Sequence, residues 1–190
     1  MIIIADNEYA IKSGKALRKH FALLFEAGTD SASNLEIIGK GIEDMSIAPN
    51  ANVETTSDIL GNNETILDKY EKSTDVDPIY VEGGNKFSEF LDKVEEEELT
   101  GDSVVKEFVW VKLYKPLLEK GETTKESDTV FKAWKQKAVV ELTNFGGDTK
   151  GVSAPCTLHW VGKRTHGSVT VTDVDGNKSY SFAADPTSST

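Results

Sequence analysis

The sequence predicts a mainly β protein of the α+β class: an antiparallel β-sandwich or barrel of two packed sheets with one flanking α-helix. Three observations lead there. Apolar and polar residues alternate with a period of two through residues 104–113 and 130–143, the spacing of a strand with distinct faces. Short, turn-rich links such as Asp175-Gly176 join neighbouring segments, which favours antiparallel pairing. Only Phe87, Phe90, Leu91 and Val94 recur at helical spacing.

Taken in order, residues 1–19 read as an N-terminal arm with a basic cluster at Lys12, Lys15, Arg18 and Lys19. Residues 20–27 form an apolar strand, and 28–33 a turn-rich loop. A second strand covers 35–47, with Leu35, Ile37, Ile38, Ile42, Met45 and Ile47 as its apolar set. Gly39 and Gly41 suggest a bulge in it, or a close approach by another backbone. Pro49 and Asn50 break it.

Residues 48–84 then form a long acidic loop or arm whose apolar anchors are Val53, Ile59, Leu60, Ile66, Leu67, Tyr70, Pro78 and Tyr80. Such a length with so little to bury points to function or to a partner, and the expected partner is another copy of the chain. Asn85 caps a helix over 85–99. The strand at 104–113 is expected to end at Pro116, with 117–128 a charged loop. Residues 157–161 and 168–172 read as two strands separated by Gly-Lys-Arg-Thr-His-Gly, and 178–182 returns from the hairpin turn. The tail 183–190 is small and polar, expected to be flexible, and the 190 residues make one domain.

Composition narrows the function. Hydrophobic content of 38% supports a core with chain left over for interfaces. The net charge is -11 and uneven: residues 41–102 hold 17 Asp and Glu against 4 Lys, while the remainder holds 15 acidic and 17 basic residues. Tight nucleic-acid binding, which runs on lysine and arginine, is therefore disfavoured. No apolar run approaches a membrane span and no signal-like segment opens the chain, so residence in a cytoplasm is expected. Cys156 is alone, which rules out an intrachain disulfide and a thiolate zinc cluster.

Chemistry-bearing patterns are weak. Cys156 and His159 lie three apart, which on a strand turns them to opposite faces. His20 and His166 have no metal-ligand spacing to a partner. Asp173-Val174-Asp175-Gly176-Asn177 resembles the start of a calcium loop, but the position that needs a bidentate Glu is Phe182, so a hairpin turn is the better reading. Thr74-Asp75-Val76-Asp77-Pro78 is acid-rich without a partner motif. The expectation is no catalytic residue, no cofactor and no metal, and hence a structural or assembly role.

The order of features resembles a known family. Gly39-Lys40-Gly41-Ile42-Glu43-Asp44-Met45-Ser46-Ile47 is followed by Thr55-Thr56-Ser57-Asp58-Ile59-Leu60-Gly61, then Tyr70-Glu71-Lys72-Ser73 and Asp75-Val76-Asp77-Pro78. A helix at 87–94 and the turn Gly146-Gly147-Asp148-Thr149-Lys150-Gly151 complete the series. In this order the chain resembles the major tail proteins, or tail tube proteins, of long non-contractile-tailed bacteriophages (siphophages) infecting Gram-positive bacteria. The resemblance implies a virion protein, assembled in the bacterial cytoplasm, whose hexameric rings stack into the conduit for genome ejection. It implies a long hairpin or loop after the early strands that, together with the terminal arm, bridges subunits and successive rings, and tape-measure and terminator proteins as tail partners. It also implies an acidic lumen past which genomic DNA slides without specific binding; Glu43, Asp44 and Glu141, on strands, are the candidates to face it. Two alternatives stand beside it: a tube protein of a contractile tail or secretion apparatus, and a β-sandwich module binding carbohydrate or a cell surface. The latter needs an exposed aromatic platform, for which Trp110, Tyr114, Trp134 and Trp160 are the candidates.

Overall fold

A computed structural model describes residues 7–28, 35–40, 42 and 44–186. Its strands are β1 (Asn7–Tyr9), β2 (Phe21–Glu26), β3 (Leu35–Ile38), β4 (Ala51–Ser57), β5 (Asn63–Tyr70), β6 (Ser73–Val76), β7 (Val105–Glu119), β8 (Val130–Leu142), β9 (Gly146–Asp148), β10 (Gly151–Ser153), β11 (Cys156–Val174) and β12 (Asn177–Ala184). Among the described residues one α-helix, α1 (Lys86–Glu96), lies between β6 and β7. The protein is mainly β, as its alternating pattern dictates.

Eight strands form one antiparallel sheet in the order β12-β11-β8-β7-β2-β3, with β1 added to β7 and β6 to β11. The sheet curls until β12 comes back against β3. This curl explains why β7 reads apolar on both faces at its centre. Phe108 and Trp110 point to one face, Val109 and Val111 to the other, and all four are buried.

On the first face Leu23, Phe25, Phe108, Trp110, Trp134, Leu158 and Trp160 form the larger core. Helix α1 covers part of it with Phe87 and Leu91. The rings interlock: Phe25 and Phe87 centroids lie 5.1 Å apart, Phe87 meets Phe108 edge-on at 5.7 Å, and Phe21 stacks on Trp110 at 4.4 Å. On the second face Leu24, Leu35, Val109, Val111, Phe131, Ala133 and Val169 fill the inside of the curl. Asn85 caps the helix as expected, its side chain accepting from the Ser88 N–H at 2.9 Å.

Several boundaries differ from the sequence reading, each for a physical reason. The strand expected over 35–47 stops at Ile38; Gly39 has open space around it rather than a close backbone, and Gly41 lies outside the described residues. Pro116 does not end its strand. It sits at a register shift against β8, where a ladder N–H is dispensable, and the strand runs on to Glu119 to receive β1. Part of the supposed N-terminal arm is thus a paired edge strand, with the Ala10 N–H donating to the Pro116 carbonyl at 3.1 Å.

The two strands expected on either side of residues 162–167 are one long strand. The irregular residues form a bulge between Val161 and Thr165, made possible by the left-handed Gly162 (φ 68°). The Gln136 side chain closes it by donating to the Gly162 carbonyl at 3.1 Å. Gly167 answers to a close approach: a Cβ there would lie 2.2 Å from the Ala183 carbonyl oxygen of β12. That strand includes Ala183 and Ala184, so only 187–190 of the expected tail fall outside the described residues. The Asp175-Gly176 turn is as expected, both residues having positive φ (53° and 83°).

Candidate interaction surface

Of the loop or hairpin arm expected over residues 48–84, the structure gives the hairpin form, confined to residues 51–70. Within them β4 and β5 form a twisted ribbon that leaves the body of the protein, while the segment after it returns to the core. Thr74 and Val76 of β6 are fully buried and β6 pairs with β11. Ile79 is buried, the Ala154 N–H donates to its carbonyl at 2.8 Å, and Tyr80 bridges Ser153. Pro78 and Tyr80, expected on the arm, therefore belong to the body, half-buried.

The foot of the ribbon is pinned. Ala48 and Ser73 exchange two backbone hydrogen bonds at 2.9 and 3.1 Å. Asn50, at a positive φ of 46° that asparagine tolerates, donates its side-chain amide to the Glu71 carbonyl and to Ser73 Oγ, both at 2.9 Å. Lys69 and Glu71 pair at 2.8 Å, but both are exposed and water screens them.

The shaft is exposed along every residue from 51 to 70. Its register gives it two unlike faces. Val53 lies opposite Leu67 and Ala51 opposite Tyr70, an apolar group continued by Thr55 and Thr65, whose hydroxyls meet at 3.1 Å. The other face carries Glu54 opposite Ile66 and Thr56 opposite Glu64. A bulge between Asn52 and Val53 separates this pattern from the foot.

The tip is built by one carboxylate. Asp58 accepts from the Leu60 and Asn62 N–H groups at 2.8 and 2.9 Å and from the Asn62 amide at 2.8 Å. Those bonds, the Asn62 side chain's foremost, hold its pKa below the usual carboxylate range. The turn so fixed projects Ile59 and Leu60 into solvent, 102% and 81% exposed. Six large apolar side chains, Val53, Ile59, Leu60, Ile66, Leu67 and Tyr70, thus stand exposed on the ribbon, with only Tyr70, at the foot, meeting the Lys72 ammonium 5.7 Å from its ring centre among the described residues. A two-stranded hairpin is marginal alone in water, and an exposed apolar group of this size marks a contact surface. All six were among the residues expected on the arm; that they share a paired ribbon with distinct faces was not legible from spacing, because Asp68 at the bulge breaks the alternation.

Of the carboxylates proposed for a lumen, Glu43 lies outside the described residues. Asp44 and Glu141 are both exposed. The structure joins them through residues that sequence reasoning passed over: Asp44 bridges Asp77, and Asp75 lies opposite Thr157, which lies opposite Glu141. Asp44, Asp75, Asp77 and Glu141 therefore make one acidic strip along the β6 side of the sheet. His159 Nε2 lies 2.6 Å from the Glu141 carboxylate at the edge of the strip.

On the opposite side a set of cations collects around Trp134. Lys112 and Lys132 face each other across β7 and β8. Lys112 Nζ lies 5.2 Å and Arg164 Cζ 4.6 Å from the Trp134 ring centre, while the Lys132 ammonium sits over Tyr9. Burial first, then Lys132 and Arg164, lowers the Lys112 pKa; Lys72 is lowered by burial and then by Arg164. No carboxylate pairs with these four cations among the described residues. The available signal was the i±2 spacing of Lys112 and Lys132 to Trp110 and Trp134.

Cys156 and His159 part as the strand geometry requires. Cys156 is buried and its thiol is pushed up to about 12, by burial and then by Asp75, while His159 is exposed on the other face. Trp110, Trp134 and Trp160 are buried, so they offer no exposed aromatic platform. Among the described residues no group of three His, Cys, Asp or Glu is placed to hold a metal ion, and no helix is long and apolar enough to cross a membrane. No family model matches the chain, and no curated protein sequence matches it.

Proposed function

We propose that this chain is a structural subunit that associates with copies of itself, in the manner of a siphophage tail tube protein, and that the β4–β5 ribbon is the element that joins them. One observation carries the reading: a well-formed ribbon, pinned at its foot and ordered at its tip, exposes six large apolar side chains to solvent. The free energy available is substantial, because full burial of a side chain such as Ile or Leu contributes about 1.5–3 kcal/mol. A ribbon directed away from its own body reaches a different patch on a neighbour. Such a head-to-tail contact closes into rings or continues into filaments.

The acidic strip of Asp44, Asp75, Asp77 and Glu141 supports the conduit part of the reading. Repeated around a ring, it gives a wall of like charge that discourages DNA from sticking. Static light scattering over a concentration series tests the proposal. The full chain should grow from monomer to discrete oligomers or tubes, and a ribbon-deleted chain should not. A full chain that stays monomeric at every concentration would remove the proposal's basis.

A further inference from the structure

The ribbon's acidic face and the cation set around Trp134 are matched in ways that their own subunit leaves unused. Lys112 and Lys132 are directly opposed across two strands, a like-charge pairing that destabilises a sheet unless a counter-charge is supplied. Arg164 is fixed over Trp134 and bonded through Nε to Gln136 Oε1 at 3.1 Å, which leaves its terminal guanidinium nitrogens for other acceptors. Lys72, whose carbonyl accepts from the Trp160 N–H at 3.0 Å and whose ammonium lies 5.7 Å from the Tyr70 ring centre, extends the set toward the foot of the ribbon. Complementing these, Glu54 and Glu64 are diagonal neighbours on one ribbon face, with Ile66 beside them. Neither meets a cation among the described residues.

We propose that the row formed by Lys132, Lys112, Arg164 and Lys72 is the seat for the Glu54 and Glu64 face of a second copy's ribbon. The proposal rests on the self-association reading and assigns its receptor. The spacing agrees: diagonal residues on a ribbon lie about 7–8 Å apart, within the reach of two flexible Glu side chains to an opposed lysine pair. In this arrangement Glu54 and Glu64 relieve the Lys112–Lys132 repulsion, and Ile66 is covered in the same contact. The ribbon's apolar face, with Val53 and Leu67, stays available for a third copy. One ribbon then links more than two subunits.

The test is charge reversal on either side, read by sedimentation velocity on the full chain. Glu54→Lys with Glu64→Lys changes only exposed residues, so its denaturation midpoint should match the wild type's. It should raise the association midpoint at least about tenfold, the scale of close interfacial charge pairs. Lys112→Glu with Arg164→Glu should do the same, and mixing the two variants should restore association between them. If the second variant fails to fold, the ribbon-side variant alone decides. A wild type that associates while Glu54→Lys with Glu64→Lys associates at the same midpoint and salt dependence overturns the inference and leaves the self-association reading standing. A wild type that never associates sinks both. Retention of duplex DNA, lost in Lys112→Glu with Arg164→Glu while association is unchanged, assigns the row to phosphates and also overturns it.

Discussion

Replacing Ile59 and Leu60 by serine separates assembly from folding more cleanly than any other change. The two side chains stand on the ribbon tip, 102% and 81% exposed, and the turn beneath them is held by Asp58 rather than by their own packing. Folding stability should therefore move by no more than about 0.5 kcal/mol, the range for surface positions away from special features. If a neighbouring subunit buries both, each contributes about 1.5–3 kcal/mol. Their joint loss is then at least about 3 kcal/mol, which raises the dissociation constant roughly a hundredfold or more. The assay is a pair of measurements on one preparation: urea denaturation of dilute protein, and sedimentation over a wide concentration range. An unchanged denaturation midpoint with a strongly weakened association is the expected result. If association is unaffected, the tip is not a contact. If stability falls by several kcal/mol, the tip belongs to the fold and the division between body and ribbon is wrong.

Other expectations follow from the same structure. Replacing residues 51–70 by a short glycine-containing turn should give a folded monomer with an unchanged denaturation midpoint, whereas a deletion extended to residue 77 removes buried Thr74 and Val76 and should abolish cooperative unfolding. Phe87→Ala should cost about 3–5 kcal/mol in denaturant titration, because Phe87 is the helix's main insertion between Phe25 and Phe108. Gly167→Ala should loosen β12, with faster amide exchange across the Asn177–Ala184 strand, because the added methyl meets the Ala183 carbonyl. Cys156, with its thiol pKa raised to about 12, carries a thiolate fraction of roughly one in ten thousand at pH 8 and should resist thiol reagents until the protein unfolds. Its buried neutral form is favoured in the fold, so this contribution is lost as pH rises above the ordinary thiol range.

The sequence disclosed most of what depends on local pattern. Alternation through Phe108-Val109-Trp110-Val111 told which residues share a face, and Asp175-Gly176 and Asn85 carried the turn and the helix start in their own chemistry. The six apolar ribbon residues stood out because nothing near them in sequence offered a core. What stayed hidden depends on residues distant in the chain. Pro116 looks like a strand end until β1 and the register shift are seen beside it. The two halves of β11 look separate until Gly162 and Gln136 are seen to form a bulge. Thr74 and Val76 look like part of a polar arm because only their burial against β11 and Trp160, whose indole donates to Thr74 Oγ1 at 2.9 Å, makes them core. Asp44 and Glu141, 97 positions apart, become one strip only through β6 and β11.

Negative-stain electron microscopy of the concentrated full chain, beside the chain lacking residues 51–70, tests most directly whether the ribbon joins copies. Rings or hollow stacked tubes are expected for the first and single small particles for the second. Identical fields of isolated monomers, or tubes formed equally well without the ribbon, would contradict it.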